Sequence, residues 1–487
     1  MFTNVRSNVF TLLSDYYKQS KESILYVDSK KSYSVEDVYE NSLSIANSLR
    51  KLGISKNPII VLVNREARVL ITFFGIAASN NIYLPVDEDI PEEKLKDILS
   101  SSKAKYYFSF NDRRIASLTY LDFEELSKNV DLDEDVLTLT KENDPLYLMF
   151  TSGSTGKAKG VLKSHENILS FVDSFKESFP FIEDDQKLMN QTPFFFDASS
   201  KDIYLTLKYH GTLYIPEKNT FSLPQVIINY LNENQISMIL WVPSVLTLIA
   251  KLRTLDFMKP EYLKYIFFVG EVFQNKYLNM WVKAMPQTRF FNIYGSTELA
   301  GVALEYEVKK EIPLDQSLPT GKPLIGNEVF LEDGEICIKS HQVALGYIND
   351  DERNAKTFKH ENGDIILHTG DYATYDDEGN ILFLTRKDFQ IKHLGYRIEL
   401  QEIDHALSSL TYIDTCVALF DKTKDKIVLF ATLNKTSENP IKMILDDAKS
   451  KLQFYMLPNK VIILDKMPMN NNGKIDRTAL MNMLGSK

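Results

Sequence analysis

The stretch 151–160 reads Thr151, Ser152, Gly153, Ser154, Thr155, Gly156, Lys157, Ala158, Lys159 and Gly160, so every position except Ala158 is Gly, Ser, Thr or Lys. That composition suits phosphate. Glycines let backbone N–H groups approach closely, hydroxyls donate hydrogen bonds, and ammonium groups neutralise charge. A Walker loop is excluded, because its first glycine and its final hydroxyl would fall on Thr151 and Ala158. A flexible surface turn is the plain alternative.

Such a loop needs a rigid platform. Short β-branched or aromatic runs at 59–63, 105–110, 146–150, 237–242, 265–269 and 289–293 alternate with helical periodicity at 66–78 and 224–233. This alternation predicts an α/β fold with strands buried on both faces. After about Gly326 the texture changes to hairpins, with Asp333-Gly334 and Glu378-Gly379 as turns. From Asp388 a smaller α/β region follows, in which Ile403, Leu407 and Leu410 share a helix face and 427–432 form a strand. The expected division is 1–387 and 388–487.

At 487 residues, more than one folded unit is expected. A net charge of −10, from 66 acidic and 56 scattered basic residues, gives no electrostatic footprint for nucleic acid. Cys337 and Cys416 are far apart and have no nearby His pair, which argues against a disulfide framework and a zinc site. No run of about 18 apolar residues and no cleavage pattern are present, so a cytoplasmic protein without a membrane partner is expected.

Other segments fall in a recognisable order. They are Asn81-Ile82-Tyr83-Leu84-Pro85-Val86-Asp87; Phe291-Asn292-Ile293-Tyr294-Gly295-Ser296-Thr297-Glu298; Thr369-Gly370-Asp371; Arg386-Lys387-Asp388; Gly395-Tyr396-Arg397-Ile398-Glu399; and Asn472-Gly473-Lys474-Ile475-Asp476. With the Thr151 loop and Lys163-Ser164-His165-Glu166-Asn167, the chain resembles the adenylate-forming superfamily over nearly its whole length. That superfamily includes acyl-CoA synthetases, luciferases and the adenylation domains of nonribosomal peptide synthetases. Ala158 stands where the family usually has Pro, and Thr385 where it usually has Gly.

The resemblance implies a large N-terminal domain of α/β subdomains with a small β-barrel-like subdomain, followed by a small, mobile α+β C-terminal domain. It implies ATP and Mg²⁺. The ATP-binding set would be Thr151, Ser152, Gly153, Ser154, Thr155, Gly156, Lys157, Gly270, Glu271, Asn292, Ile293, Tyr294, Gly295, Ser296, Asp371 and Arg386. Tyr294 would lie on adenine and Asp371 would accept the ribose hydroxyls, although an Asp in such a turn is often a local cap. Thr297 would touch the α-phosphate, and Glu298 would offer Mg²⁺ a hard oxygen. Lys474 would be catalytic, bridging the carboxylate and the α-phosphate while charge moves to pyrophosphate. Asp388 would be the hinge, and Gly395 would leave room for a phosphopantetheine thiol.

Gln191-Thr192-Pro193-Phe194-Phe195-Phe196-Asp197-Ala198-Ser199 resembles the specificity segment of amino-acid adenylation domains, where the Asp pairs with the substrate ammonium. A buried carboxylate needs a cation; the alternative is a helix N-cap at Asp197. Gap-free alignment places Ala198, Lys201, Trp241, Phe267, Val269, Ile293, Gly301 and Val302 around the acid. Trp241 and Phe267 would fill space and favour alanine, glycine or β-alanine, whereas an inward Lys201 would favour an acidic side chain; a solvent-facing Lys201 is the other reading.

The architecture and Gly270-Glu271-Val272 resemble stand-alone enzymes such as the D-alanine–D-alanyl carrier protein ligases, with Val269 at a position usually Cys. No carrier sequence follows Lys474, so a carrier protein acting in trans is the expected partner and free coenzyme A the alternative. The rivals are an acyl- or aryl-CoA ligase and an inactive nucleotide-binding scaffold; the scaffold should have lost Lys474, Glu298 or Asp371, and all three are present.

Overall fold

A computed structural model of the chain describes residues 8–128, 131–151, 159–361, 363–386, 390–434, 439–469 and 475–485. The chain divides into two compact units. One comprises Met1–Glu88, Ser102–Met149 and Gly160–Lys387, and the other Asp89–Ser101, Phe150–Lys159 and Asp388–Lys487.

Long runs of β-branched and aromatic residues build the first unit. Its nine-stranded sheet runs in the order Lys322–Pro323, Leu304–Val308, Arg289–Tyr294, Tyr265–Val269, Met238–Trp241, Lys187–Met189, Thr212–Tyr214, Ile24–Val27 and Ser32–Ser34. The strands from Arg289–Tyr294 through Ile24–Val27 are parallel, and the flanking ones antiparallel. A seven-stranded sheet has the order Gly346–Tyr347, Lys159–Ser164, Pro145–Thr151, Ile82–Asp87, Pro58–Val63, Tyr106–Ser109 and Thr119–Tyr120. Every residue of Tyr265–Val269 is buried, as a strand covered on both faces requires. The helix Ala67–Ala78 is buried all round rather than along one stripe.

The smaller subdomain of this unit is a five-stranded antiparallel sheet of Glu328–Glu332, Glu335–Lys339, Asp364–Tyr375, Phe358–Glu361 and Ile381–Arg386. Asp333 (φ 49°) and Gly334 (φ 83°) form its first turn. Two successive left-handed residues match the right-handed twist of a hairpin. Across this sheet Cys337 Sγ meets His368 Nδ1 at 3.5 Å, with Glu332 nearby. Sequence spacing did not foretell that neighbourhood, because strand register creates it; burial pushes the thiol up to about 12.

The second unit contains the hairpin Gln390–His393 and Tyr396–Glu399, and a three-stranded sheet of Ile413–Asp421, Lys426–Leu433 and Lys460–Ile463. Ile403 and Leu407 of the helix Leu400–Ser408 enter its core, and Leu410 packs at the edge. Lys159 pairs with Glu399 at 2.9 Å and Lys94 with Glu402 at 2.5 Å, tying the two short segments to this unit. Among the described residues no helix is long and apolar enough to cross a membrane.

Candidate active site

Asp371 is enclosed by two donors. It lies on the long strand Asp364–Tyr375, directly opposite Arg386 on Ile381–Arg386, so cross-strand register alone brings the guanidinium to its Oδ1. Tyr294, the last residue of Arg289–Tyr294, donates from Oη to Asp371 Oδ2 at 2.5 Å. Burial drives the Tyr294 phenol far above its ordinary value, so it remains a donor. Gly370 N–H donates to Glu335 Oε1 at 2.7 Å, and Asp371 N–H to Thr369 Oγ1 at 3.1 Å. The carboxylate therefore faces tyrosine and arginine, and does not act as a local turn cap.

The segment after Tyr294 is a closed excursion from the sheet. Tyr294 pairs with Leu304 on the next strand, and Ala303 N–H donates to the Tyr294 carbonyl at 2.8 Å. A Cβ on Gly295 would lie 2.4 Å from the Gly301 carbonyl oxygen, and one on Gly301 (φ 71°) 2.0 Å from the Phe171 ring. Only glycine fits either place. The tip is held by Ala344 N–H to the Glu298 carbonyl at 2.9 Å and Ala300 N–H to the Gln342 carbonyl at 2.8 Å. Glu298 is thereby buried, with Tyr347 Oη donating to its Oε1 at 2.6 Å. Thr297 is half-buried beside it, and Ser296 Oγ is buried without a hydrogen-bond partner among the described residues.

Asp197 already has a cation. Lys163 Nζ lies 2.5 Å from Asp197 Oδ1 and 3.0 Å from the Leu299 carbonyl, and Tyr147 Oη donates to the same Oδ1 at 2.7 Å. Lys163 is completely enclosed. It alternates with buried Val161 along Lys159–Ser164, and the helix His165–Ser178 starts immediately after it with a Ser164/Asn167 capping box. Burial pulls its ammonium below the ordinary lysine value, with Asp197 and then Glu298 pulling back. The N-cap alternative does not hold for Asp197: the cap of Ser199–Lys208 is Ala198, with no side-chain bond, and Asp197 contributes only its carbonyl, to Ser200. No described residue donates to Asp197 Oδ2.

The residues aligned around the acid do not all share a face. Phe267 and Val269 alternate on one strand, Ile293 pairs with Val269, and all three belong with Val302 to one core. Trp241 pairs with Phe268, on the opposite face, enters the other core and donates to the Met189 carbonyl at 2.9 Å. Leu240 stands in line with Phe267 instead. A one-residue shift along a strand exchanges faces, which the gap-free alignment missed. Lys201, on the helix Ser199–Lys208, does not point to solvent: it is 4% exposed. The Gly301 backbone lies in the closed excursion above.

Gly270 (φ 94°) ends the strand Tyr265–Val269, and Glu271 accepts the Ser244 N–H at 2.9 Å. Asn292 donates to the Pro319 carbonyl at 2.7 Å. Thr151 Oγ1, at the end of Pro145–Thr151, is buried and has no partner among the described residues. Ser152, Gly153, Ser154, Thr155, Gly156, Lys157, Asp388 and Lys474 lie outside the described residues. In the second unit, Leu394 (φ 53°) and Gly395 (φ 84°) are the two turn residues of the Gln390–Glu399 hairpin, which gives that glycine a backbone role of its own. Lys163, Tyr147 and Tyr347 had no site role in the sequence reading. The alternation of Val161 and Lys163 on one strand face was the available signal for the first.

The sequence profile of the AMP-binding enzyme family matches residues 14–348. A D-alanine–D-alanyl carrier protein ligase of Staphylococcus aureus is 29% identical over 98% of this chain and 99% of its own. Among solved structures, a Vibrio cholerae adenylation domain in complex with glycyl-adenosine-5'-phosphate is 20% identical, with a TM-score of 0.84 over 100% of this chain and 99% of that one. The o-succinylbenzoate CoA synthetase of Bacillus subtilis is 20% identical and superposes with a TM-score of 0.84 over 99% and 98%. These structures share the fold. With the profile spanning more than half of the sequence, the chain belongs to the AMP-binding enzyme family.

Proposed function

We propose that the protein activates an amino acid with ATP as aminoacyl-AMP, releasing pyrophosphate, and passes it to the phosphopantetheine thiol of a separate carrier protein. The name of the Staphylococcus aureus relative and its end-to-end match support this reading. One observation carries it: a single buried ammonium, Lys163, bonds both Asp197 and the Leu299 carbonyl. It ties the candidate acid-binding carboxylate to the segment of Tyr294, Thr297 and Glu298, so an acid near Asp197 lies beside the nucleotide.

In the first half-reaction the acid's carboxylate oxygen attacks the α-phosphorus and pyrophosphate leaves, with the protein positioning and neutralising. Asp371 accepts the ribose hydroxyls while Arg386 and Tyr294 fix its orientation. Glu298 fits Mg²⁺, because an enclosed carboxylate supplies the hard oxygen that this ion takes together with phosphate. Bound there, Mg²⁺ neutralises phosphate charge. Asp197 Oδ2 is open to a substrate ammonium. By the resemblance, Lys474 serves adenylation, Asp388 is the hinge, 1–387 forms the adenylation core, and 388–487 forms the mobile domain that presents Gly395 to the thiol. With Trp241 on the opposite sheet face from Phe267, Phe267 alone remains of the two residues taken to restrict side-chain size.

ATP–pyrophosphate exchange over the amino acids, followed by thioester formation with a carrier protein or with coenzyme A, tests this. Exchange with an amino acid and loading of the carrier is the expected result. Exchange only with acids lacking nitrogen, and thioester only with coenzyme A, would replace it with the CoA-ligase reading.

A further inference from the structure

Lys201 is 4% exposed, makes no hydrogen bond to a described residue, and has no carboxylate oxygen of the described residues within 4.0 Å of its ammonium. A buried, unpaired ammonium costs several kcal/mol unless something anionic meets it. Asp197 stands four residues back, just ahead of the helix Ser199–Lys208, and its Oδ1 is taken by Lys163 and Tyr147. Asp202, the adjacent carboxyl, accepts from Asn190 Nδ2 at 2.8 Å; burial pushes it up to about 7 and pulls the Lys201 ammonium down, so burial stabilises neither charge. Lys163 and Asp197 cancel, which leaves the positive charge of Lys201 uncompensated by contact.

A neutral amino acid worsens this balance, since its ammonium adds a third cation around Asp197. A second carboxylate on the acid corrects it. The reacting carboxylate does not serve, because it must meet the nucleotide at the Glu298 end. Glu298 is among the charges acting on Lys163, whereas those acting on Lys201 are Asp197, Asp202 and Lys163. Lys201 stands on the first turn of the helix Ser199–Lys208, close enough to Asp197 and Lys163 to feel both charges.

We infer that the acid carries a second, unreacting carboxylate held by Lys201, so that the substrate is an amino acid with an acidic side chain. This rests on the adenylation reading above and narrows it.

The test is ATP–pyrophosphate exchange with wild-type protein on aspartate against asparagine, glutamate against glutamine, alanine and glycine, and on succinate and glutarate. An acidic amino acid should exceed its amide in kcat/KM on the order of a hundredfold or more. Lys201→Met should collapse that ratio, and Lys201→Arg should keep most of it. Equal or better exchange with alanine, glycine or the amides overturns this inference and leaves the adenylation of amino acids standing. Turnover of succinate or glutarate alone, lost in Lys201→Met, upholds the second carboxylate and overturns the amino-acid reading. Exchange with none of these acids overturns both. The wild-type comparison decides even if Lys201→Met fails to fold.

Discussion

Lys163 Nζ sits 2.5 Å from Asp197 Oδ1, and the lysine is entirely removed from solvent. A carboxylate that the family pattern offers to a substrate ammonium thus has a resident counterion, and only its second oxygen remains open. On the proposed function, a substrate ammonium at Asp197 would add to an existing pair and would not fill an empty charge.

Lys163→Met strands that carboxylate with one neutral donor, Tyr147. Urea unfolding should show a loss of about 3–5 kcal/mol, the usual consequence of halving a buried ion pair. Removing both charges, with Lys163→Met and Asp197→Leu together, should recover most of it. A single-variant loss under about 1 kcal/mol would mean that the pair behaves as a solvated surface bridge.

Arg386→Lys replaces a planar fork beside Asp371 with a point charge. The KM for ATP should rise about tenfold, the equivalent of 1.4 kcal/mol, while the KM for the acid stays within twofold. A change confined to the acid would remove Asp371 and Arg386 from the nucleotide site.

His165 ties stability to pH. Val9 N–H donates to its Nδ1 at 3.2 Å, and complete burial pulls the imidazole down to about 3 from an ordinary 6.5. The folded chain holds it neutral while the unfolded chain protonates it below about 6.5. Stability is thus fully present above that pH and falls by about 1.4 kcal/mol per unit on acidification toward pH 3. His165→Asn should flatten this slope in unfolding curves taken between pH 4 and 6.5; an unchanged slope would assign it to carboxylates instead.

Gly301→Ala sets a methyl against the Phe171 ring at a left-handed backbone position. The expected cost is above about 2 kcal/mol, read as a lowered Tm. Gly270→Ala, also left-handed but with nothing within 4 Å, should cost less. Equal losses at the two sites would show that backbone conformation alone, and not the ring, sets the cost.

Much of the scaffold could be read from residue patterns. Tyr265–Val269 and Pro224–Glu233 fall where the apolar runs end, and Asp333-Gly334 marks its hairpin because few other pairs tolerate two positive φ values. The family resemblance implied that Tyr294, Asp371 and Arg386 share a site, but not the hydrogen bond from Tyr294 to Asp371. Two other features could not be read this way. Side-chain direction in a fully buried strand leaves no alternation to read, so Trp241 was assigned the wrong side. The Lys163–Asp197 pair joins residues 34 positions apart, and nothing local in either motif announces the other.

The chain leaves the sheet at Tyr294 and rejoins it on the same rung at Leu304. The pairing of the two strands is thus closed outside the segment, while the segment itself is anchored by Lys163, Gln342 and Ala344. Evolution, or a protein engineer, can redraw the exposed positions of the segment and keep the architecture intact, provided the two glycines that pinch its neck and these anchors are retained.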